Sequence, residues 1–131
     1  MTTIAFIGFG EAGGILAADL AREHAVTIWD CKLNGPAREA MGKKARDSRV
    51  QVGSSLAQAL ESATLVFSTV TAGEALKVAQ LAAALLQPGQ YFLDLNSVAP
   101  ETKRQAAGNF LPGVYIDVAV MAPVPPARLQ T

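Results

Sequence analysis

Residues Ile4–Leu20, IAFIGFGEAGGILAADL, constrain the fold of this chain more than any other stretch. A run that reads as a buried strand, Thr3–Gly8, breaks into glycines. A helical pattern, Gly13–Arg22, follows at once with Ile15, Leu16 and Leu20 on one face. Gly8, Gly10 and Gly13 have the spacing G-x-G-x-x-G at this strand-to-helix junction. Gly8 lets the chain turn tightly, a side chain at Gly10 would keep a diphosphate away from the backbone, and Gly13 lets the helix lie close to the strand. The helix start offers unpaired N–H groups and a partial positive charge. The bend Gly8, Phe9, Gly10, Glu11, Ala12 and Gly13 is therefore a candidate dinucleotide-binding loop.

Asp30 supports this reading. It ends the second strand-like run, Ala25–Asp30, 22 residues after Gly8. A carboxylate there accepts hydrogen bonds from the adenosine ribose hydroxyls and repels a 2′-phosphate, which favours NAD over NADP. Lys32 is two residues further on and could reach a 2′-phosphate, so NADP stays possible. A structural alternative exists at both places: glycines that only pack a tight turn, and an aspartate that caps the next loop.

The alternation continues along the chain. Strand-like runs recur at Val50–Val52, Thr64–Thr69, Tyr91–Leu95 and Val114–Val120, with helical patterns at Pro36–Ala45, Ser54–Leu60, Gly73–Leu86 and Pro100–Ala107 between them. Strands alternating with helices imply right-handed crossovers and a parallel sheet covered on both faces. The fold expected is α/β, a Rossmann-type, doubly wound, mainly parallel sheet of six strands in a three-layer α/β/α sandwich, with strand order 3-2-1-4-5-6. Pro123, Pro125 and Pro126 crowd together near the end and read as a linker leaving the sheet. Residues 1–122 are thus expected to form the cofactor-binding domain and 123–131 the start of a linker.

Composition narrows the partners. Of 131 residues, half are hydrophobic and only 17% are charged, against roughly 25% in average usage. Part of the surface is therefore expected to be covered by another domain or subunit. Eleven basic and eleven acidic residues give a formal net charge of zero, which argues against nucleic acid as the main partner. Cys31 is the only cysteine, so no internal disulfide can form, and a reducing, cytoplasmic setting fits. No signal-peptide pattern opens the chain, and its apolar runs fall short of the roughly 20 residues a membrane helix needs. His24 is the only histidine; a surface or capping role is expected, and no metal site.

Two further loops lie at the carboxyl ends of strands, where ligands bind in such sheets. Thr69, Val70 and Thr71 follow the fourth strand and face the glycine bend across the switch point, able to border the nicotinamide ribose. Thr71 reads equally as a helix cap. Asn96 and Ser97, in DLNSVAP, follow the fifth strand and offer an amide and a hydroxyl that can orient a substrate. They too read as a helix cap.

In their order, IAFIGFGEAGGILAADL, FSTVTAGEA, FLDLNSVAPETKRQ and YIDVAVMAPV resemble the N-terminal domain of the β-hydroxyacid dehydrogenases, the family of 3-hydroxyisobutyrate and 6-phosphogluconate dehydrogenases. The resemblance covers nearly the whole chain. It implies an enzyme that oxidises the hydroxyl of a small hydroxy acid or sugar acid and passes hydride to NAD(P), with Asn96, flanked by Ser97, touching substrate and nicotinamide. It also implies a full-length protein that assembles as a homo-oligomer. Where the family carries Ser-Gly-Gly for the substrate carboxylate, this chain has Met121-Ala122-Pro123. The family's catalytic lysine lies on a helix after the sixth strand, yet no lysine follows Lys103. The 131 residues are therefore expected to be a truncated domain that binds nucleotide without turnover. The alternative is a non-enzymatic NAD(H)-sensing module. Other Rossmann reductases, for ketopantoate or pyrroline-5-carboxylate, fit the later segments less well.

Overall fold

The computed structural model describes residues 2–120 and 124–130. Six strands form one sheet in the order β3-β2-β1-β4-β5-β6. They are β1 (Thr3–Ile7), β2 (Ala25–Trp29), β3 (Gln51–Val52), β4 (Leu65–Ser68), β5 (Tyr91–Asp94) and β6 (Tyr115–Asp117). All neighbouring pairs run parallel. Among the described residues the helices are α1 (Glu11–Leu20), α2 (Arg38–Asp47), α3 (Leu56–Leu60), α4 (Ala75–Leu85) and α5 (Pro100–Ala107), with a short kinked helical segment at Val124–Ala127. This is the doubly wound Rossmann-type arrangement expected.

The central strand shows why. In β1 every residue after Thr3 is buried, the signature of a parallel strand covered on both faces. Side chains alternate across a strand, so Ile4 and Phe6 face one way and Ala5 and Ile7 the other. Ile4 and Phe6 join a core with Leu16 and Ala17 of α1, Val26 and Ile28 of β2, and Ala45 of α2. Ala5 and Ile7 join a second core with Leu60 of α3, Ala79 and Ala82 of α4, Phe92 of β5 and Ala106 of α5. Thus α1 and α2 cover one face, joined there by Val124, and α3, α4 and α5 cover the other. Phe92 also stacks with Phe110 and Tyr115, at ring-centre distances of 4.9 and 5.9 Å.

Strand register aligns the carboxyl edge. Trp29 lies opposite Ile7, Ile7 opposite Ser68, Ser68 opposite Asp94, and Asp94 opposite Asp117. These five residues form one row across the sheet, and the candidate site residues lie in the loops just beyond it.

Element limits differ from the sequence reading in instructive places. α1 begins at Glu11 rather than Gly13, because Gly10 serves as its N-cap and the glycines that follow hide the first turn from propensity. α3 begins at Leu56, where Ser55 caps it by accepting the Gln58 N–H at 3.1 Å. A short 3-10 turn, Ala72–Glu74, precedes α4. β6 spans three residues rather than the seven of Val114–Val120, because only Tyr115–Asp117 pair with β5 at the sheet edge. His24 is half-buried and its Nδ1 accepts the Thr2 N–H, tying down the start of the first strand. Residues 124–130 lie against α1, where Val124 is buried and Arg128 pairs with Asp19. The Met121-Ala122-Pro123 segment lies outside the described residues. Among the described residues, no helix is long and apolar enough to cross a membrane.

Candidate functional site

The glycine bend is built around Thr69. Gly8 has φ +99°, and a Cβ there would drive into the Thr69 carbonyl oxygen. A Cβ on Gly13 would collide with Thr69 Oγ1 and the Gly8 carbonyl oxygen. The Thr69 hydroxyl itself donates to Gly8 O at 3.0 Å. Gly8 and Gly13 therefore let the β1 turn, α1 and the loop after β4 close on one another. Gly10 differs: a Cβ added there meets nothing within 4 Å. It sits at the mouth of the bend, with open space before it.

The amides of the bend divide into two groups. Gly8 N–H donates to Trp29 O at 2.8 Å, and Phe9 N–H donates to Asp30 Oδ2 at 2.8 Å. The first bond within α1 runs from Gly14 N–H to Gly10 O, and the N-cap Gly10 has no side chain to cap it. The amides of Gly10, Glu11, Ala12 and Gly13 are thus the helix-start donors with no partner inside the helix. Phe9 itself is fully buried in the first core and reaches the bend through its main chain alone.

Asp30 stands beside these amides. Its Oδ1 accepts the Lys32 N–H at 2.9 Å, capping the 3-10 turn Cys31–Asn34, while Oδ2 holds Phe9. Both structural bonds come from main-chain amides, which leaves lone pairs on the carboxylate for further donors. Lys32 and Cys31 are exposed.

Sequence reasoning passes over Lys44, since a lysine late in a polar helix reads as a solvated face. Here its Nζ donates to Phe9 O at 2.8 Å and Gly10 O at 3.0 Å, and lies 4.5 Å from the centre of the Phe9 ring. Loss of water around the ammonium lowers its pKa below the ordinary lysine value. The Asp30 charge opposes that shift and the Lys32 charge adds to it.

Across the switch point, Asn96 is 6% exposed and its amide is used internally. Its Oδ1 accepts the Val70 N–H at 2.8 Å and its Nδ2 donates to Ser68 Oγ at 2.9 Å. Asn96 therefore fixes the loop after β4 to the end of β5. Ser97 and Thr71 are exposed, and neither caps a helix: the caps at Ala99 and Thr71 make no side-chain bond. Beneath Asn96 lies a network that the sequence did not reveal. Asp94, 1% exposed, accepts from Asn96 N–H at 3.0 Å and from the Tyr115 hydroxyl at 2.7 Å. Lys103 Nζ donates to the Asp94 main-chain oxygen at 2.9 Å and to Asp117 Oδ1 at 2.6 Å. Burial pushes the Tyr115 phenol far above the ordinary tyrosine value, and its bond to Asp94 reinforces this. An open cleft of about 860 Å³ between α2 and β3 shares no residue with the glycine bend.

A parallel sheet with a glycine bend, uncapped amides and a carboxylate at the end of the second strand is the arrangement of a dinucleotide-binding domain. The comparisons make this specific. The family model of the NAD-binding domain of 6-phosphogluconate dehydrogenase matches residues 3–112, and the chain belongs to that family, which uses NAD(P). A conserved hypothetical protein from Sinorhizobium meliloti 1021 is 40% identical, with TM-score 0.87, over 96% of this chain and 44% of that one. A conserved protein of unknown function, described as structurally similar to 3-hydroxyacid dehydrogenases, is 31% identical with TM-score 0.80, over 95% of this chain and 46% of that one. 3-Hydroxyisobutyrate dehydrogenase from Mycobacterium tuberculosis is 26% identical with TM-score 0.74, over 91% of this chain and 40% of that one. The chain spans less than half the length of these relatives. No curated protein matches it in sequence.

Proposed function

We propose that this chain is the cofactor half, residues 1–122 with a linker beginning at 123, of an NAD(P)-dependent dehydrogenase acting on the hydroxyl of a small 3-hydroxy acid or sugar acid. The observation that carries the reading is the open face of Gly10 beside four amides with no partner inside the helix, next to the Phe9 N–H that Asp30 holds. In this reading a dinucleotide would lie there. The amides of Gly10–Gly13 would hold its diphosphate and Asp30 its adenosine ribose, with Lys32 beside them. Thr69, Val70 and Thr71 would border the nicotinamide ribose. Asn96 holds that border in place, and the exposed Ser97 lies next to it for substrate. The cofactor supplies the hydride acceptor. Proton removal from the substrate hydroxyl needs a base. Lys103, on α5 after the Asn96–Ser97 stretch, is engaged by the Asp94 main chain and Asp117. We therefore assign the base to residues outside this chain, and binding without turnover to the chain alone.

Calorimetric titration of the folded protein with NAD and NADP tests the reading. Heat of binding is expected with both, larger affinity with NAD; no binding of either defeats it.

A further inference from the structure

We infer that Lys44 is a positioning residue of the glycine bend, anchoring the Phe9 and Gly10 carbonyls so that the amides behind them face the diphosphate. The inference rests on the dinucleotide reading above. A trans peptide is planar, with its C=O and N–H pointing in opposite directions. Phe9 O shares a plane with Gly10 N–H, and Gly10 O shares one with Glu11 N–H. An ammonium that binds both oxygens, at 2.8 and 3.0 Å, therefore sets the direction of the first two free amides. Asp30 holds the same segment from its other side, through Phe9 N–H at 2.8 Å. Phe9 is thus gripped by a cation on its carbonyl and an anion on its amide.

A fourth glycine has its explanation here. Gly14 lies outside G-x-G-x-x-G, and a Cβ on it would sit 2.6 Å from Lys44 Nζ and 2.8 Å from its Cε. The bare backbone of α1 at Gly14 is the seat of the ammonium. Glycine interrupts a helix at a cost of roughly 1 kcal/mol relative to alanine, so its presence in the first turn calls for such a reason.

Titration of the whole chain and its variants with NAD and NADP tests the proposal. Lys44→Met keeps the aliphatic stem and is expected to weaken both dinucleotides by about tenfold, the scale of a lost charge-assisted hydrogen bond. Lys44→Arg is expected to recover most of that loss. Gly14→Ala is expected to raise the thermal midpoint, because alanine is the better helix former, yet to weaken binding by displacing Nζ. The double variant is expected to bind no more weakly than Lys44→Met alone, since both changes remove one contact. A merely structural role would move stability and affinity in the same direction. Unchanged affinity in Lys44→Met, additive losses in the double variant, or a loss confined to NADP would each overturn the proposal; the last would mean that the ammonium reads a 2′-phosphate instead. If Lys44→Met does not fold, Gly14→Ala alone decides. Failure of the unaltered protein to bind either dinucleotide overturns the dinucleotide reading itself, and this inference with it.

Discussion

Asp30 and Asp94 both stand at carboxyl ends of parallel strands, and they are opposites. Asp30, just past β2, is partly open, and its two structural bonds come from main-chain amides of Phe9 and Lys32. Asp94, the last residue of β5, is 1% exposed and takes donors from Tyr115 and Asn96, with the Lys103 ammonium 3.7 Å from Oδ1. A carboxylate accepts about four hydrogen bonds. Asp30 has capacity left for a ligand, while Asp94 spends its charge inside the fold. On the function proposed above, one half of the carboxyl edge is the receiving half, while the other holds Asn96 and the loop after β4 in place.

The largest expected effect breaks the receiving half. Gly8→Ala puts a Cβ into the Thr69 carbonyl at φ +99°. Strain and overpacking together should cost about 4 kcal/mol of stability, read by denaturant unfolding, and abolish dinucleotide binding. Gly10→Ala is the control, since its Cβ meets nothing within 4 Å. It should leave stability within about 0.5 kcal/mol of the original and still abolish binding. Equal stability losses in the two variants would show that the glycines only pack a turn.

The holding half should fail differently. Asp94→Ala leaves the Tyr115 hydroxyl and Asn96 N–H without their acceptor and removes the negative charge 3.7 Å from the Lys103 ammonium, and should cost about 3 kcal/mol. Affinity for NAD should fall less than stability, because the amides of Gly10–Gly13 are untouched. Tyr115 adds a pH signature. Its folded pKa is raised above the unfolded value of 10.0, so the stability it contributes is complete below pH 10 and drains away as pH rises further. Tyr115→Phe should flatten that alkaline decline in a pH series of unfolding curves.

The contrast also explains what the sequence could show. The glycine bend and the place of Asp30 beside it are legible because their signals are local: one apolar strand, three glycines at fixed spacing, and an acidic residue at the end of the next strand. The strand order followed from the alternation of elements. The holding half joins Ser68, Asp94, Asn96, Lys103 and Tyr115, drawn from β4, β5 and the loop after it, α5 and β6, and no spacing rule links them. Asn96 is an uncharged polar residue at a strand end in the sequence, but only the fold brings its whole amide onto Ser68 and Val70. Lys44 is 34 residues from Gly10, on a helix whose polarity gave no sign of inward reach. Gln90 is a similar case at the opposite end of the sheet. It is buried and donates to Leu60 O and Ala63 O at 2.6 and 2.7 Å.

Asp30→Ala sharpens the comparison at a smaller scale. Loss of the ribose acceptor should weaken NAD by about tenfold and NADP by less, since removal of the anion also removes repulsion of a 2′-phosphate. Stability should fall as well, because Phe9 N–H and Lys32 N–H each lose their acceptor. Parallel titrations with the two dinucleotides measure the difference. Equal weakening of both would mean that Asp30 serves the bend alone, and would move it into the same class as Asp94.

The smallest effect expected lies outside both halves, at the tail against α1. Arg128 clasps Asp19 through Nε and Nη2, with oxygen distances from 2.6 to 2.9 Å. The hydrogen bonds from Arg128 hold the Asp19 pKa below its ordinary 3.8, against the opposing effect of burial. A depressed folded pKa gives stability that is present above the unfolded value and lost as pH falls through the folded one. Arg128→Ala should therefore lower the thermal midpoint slightly at neutral pH and match the original protein in strong acid. Because the guanidinium is half exposed, salt should shrink the neutral-pH difference as well. Dinucleotide affinity should not change, since Asp19 lies in the last turn of α1, at the end opposite the free amides. A change in affinity would tie the tail to the bend through α1 and would extend the receiving half beyond the carboxyl edge of the sheet.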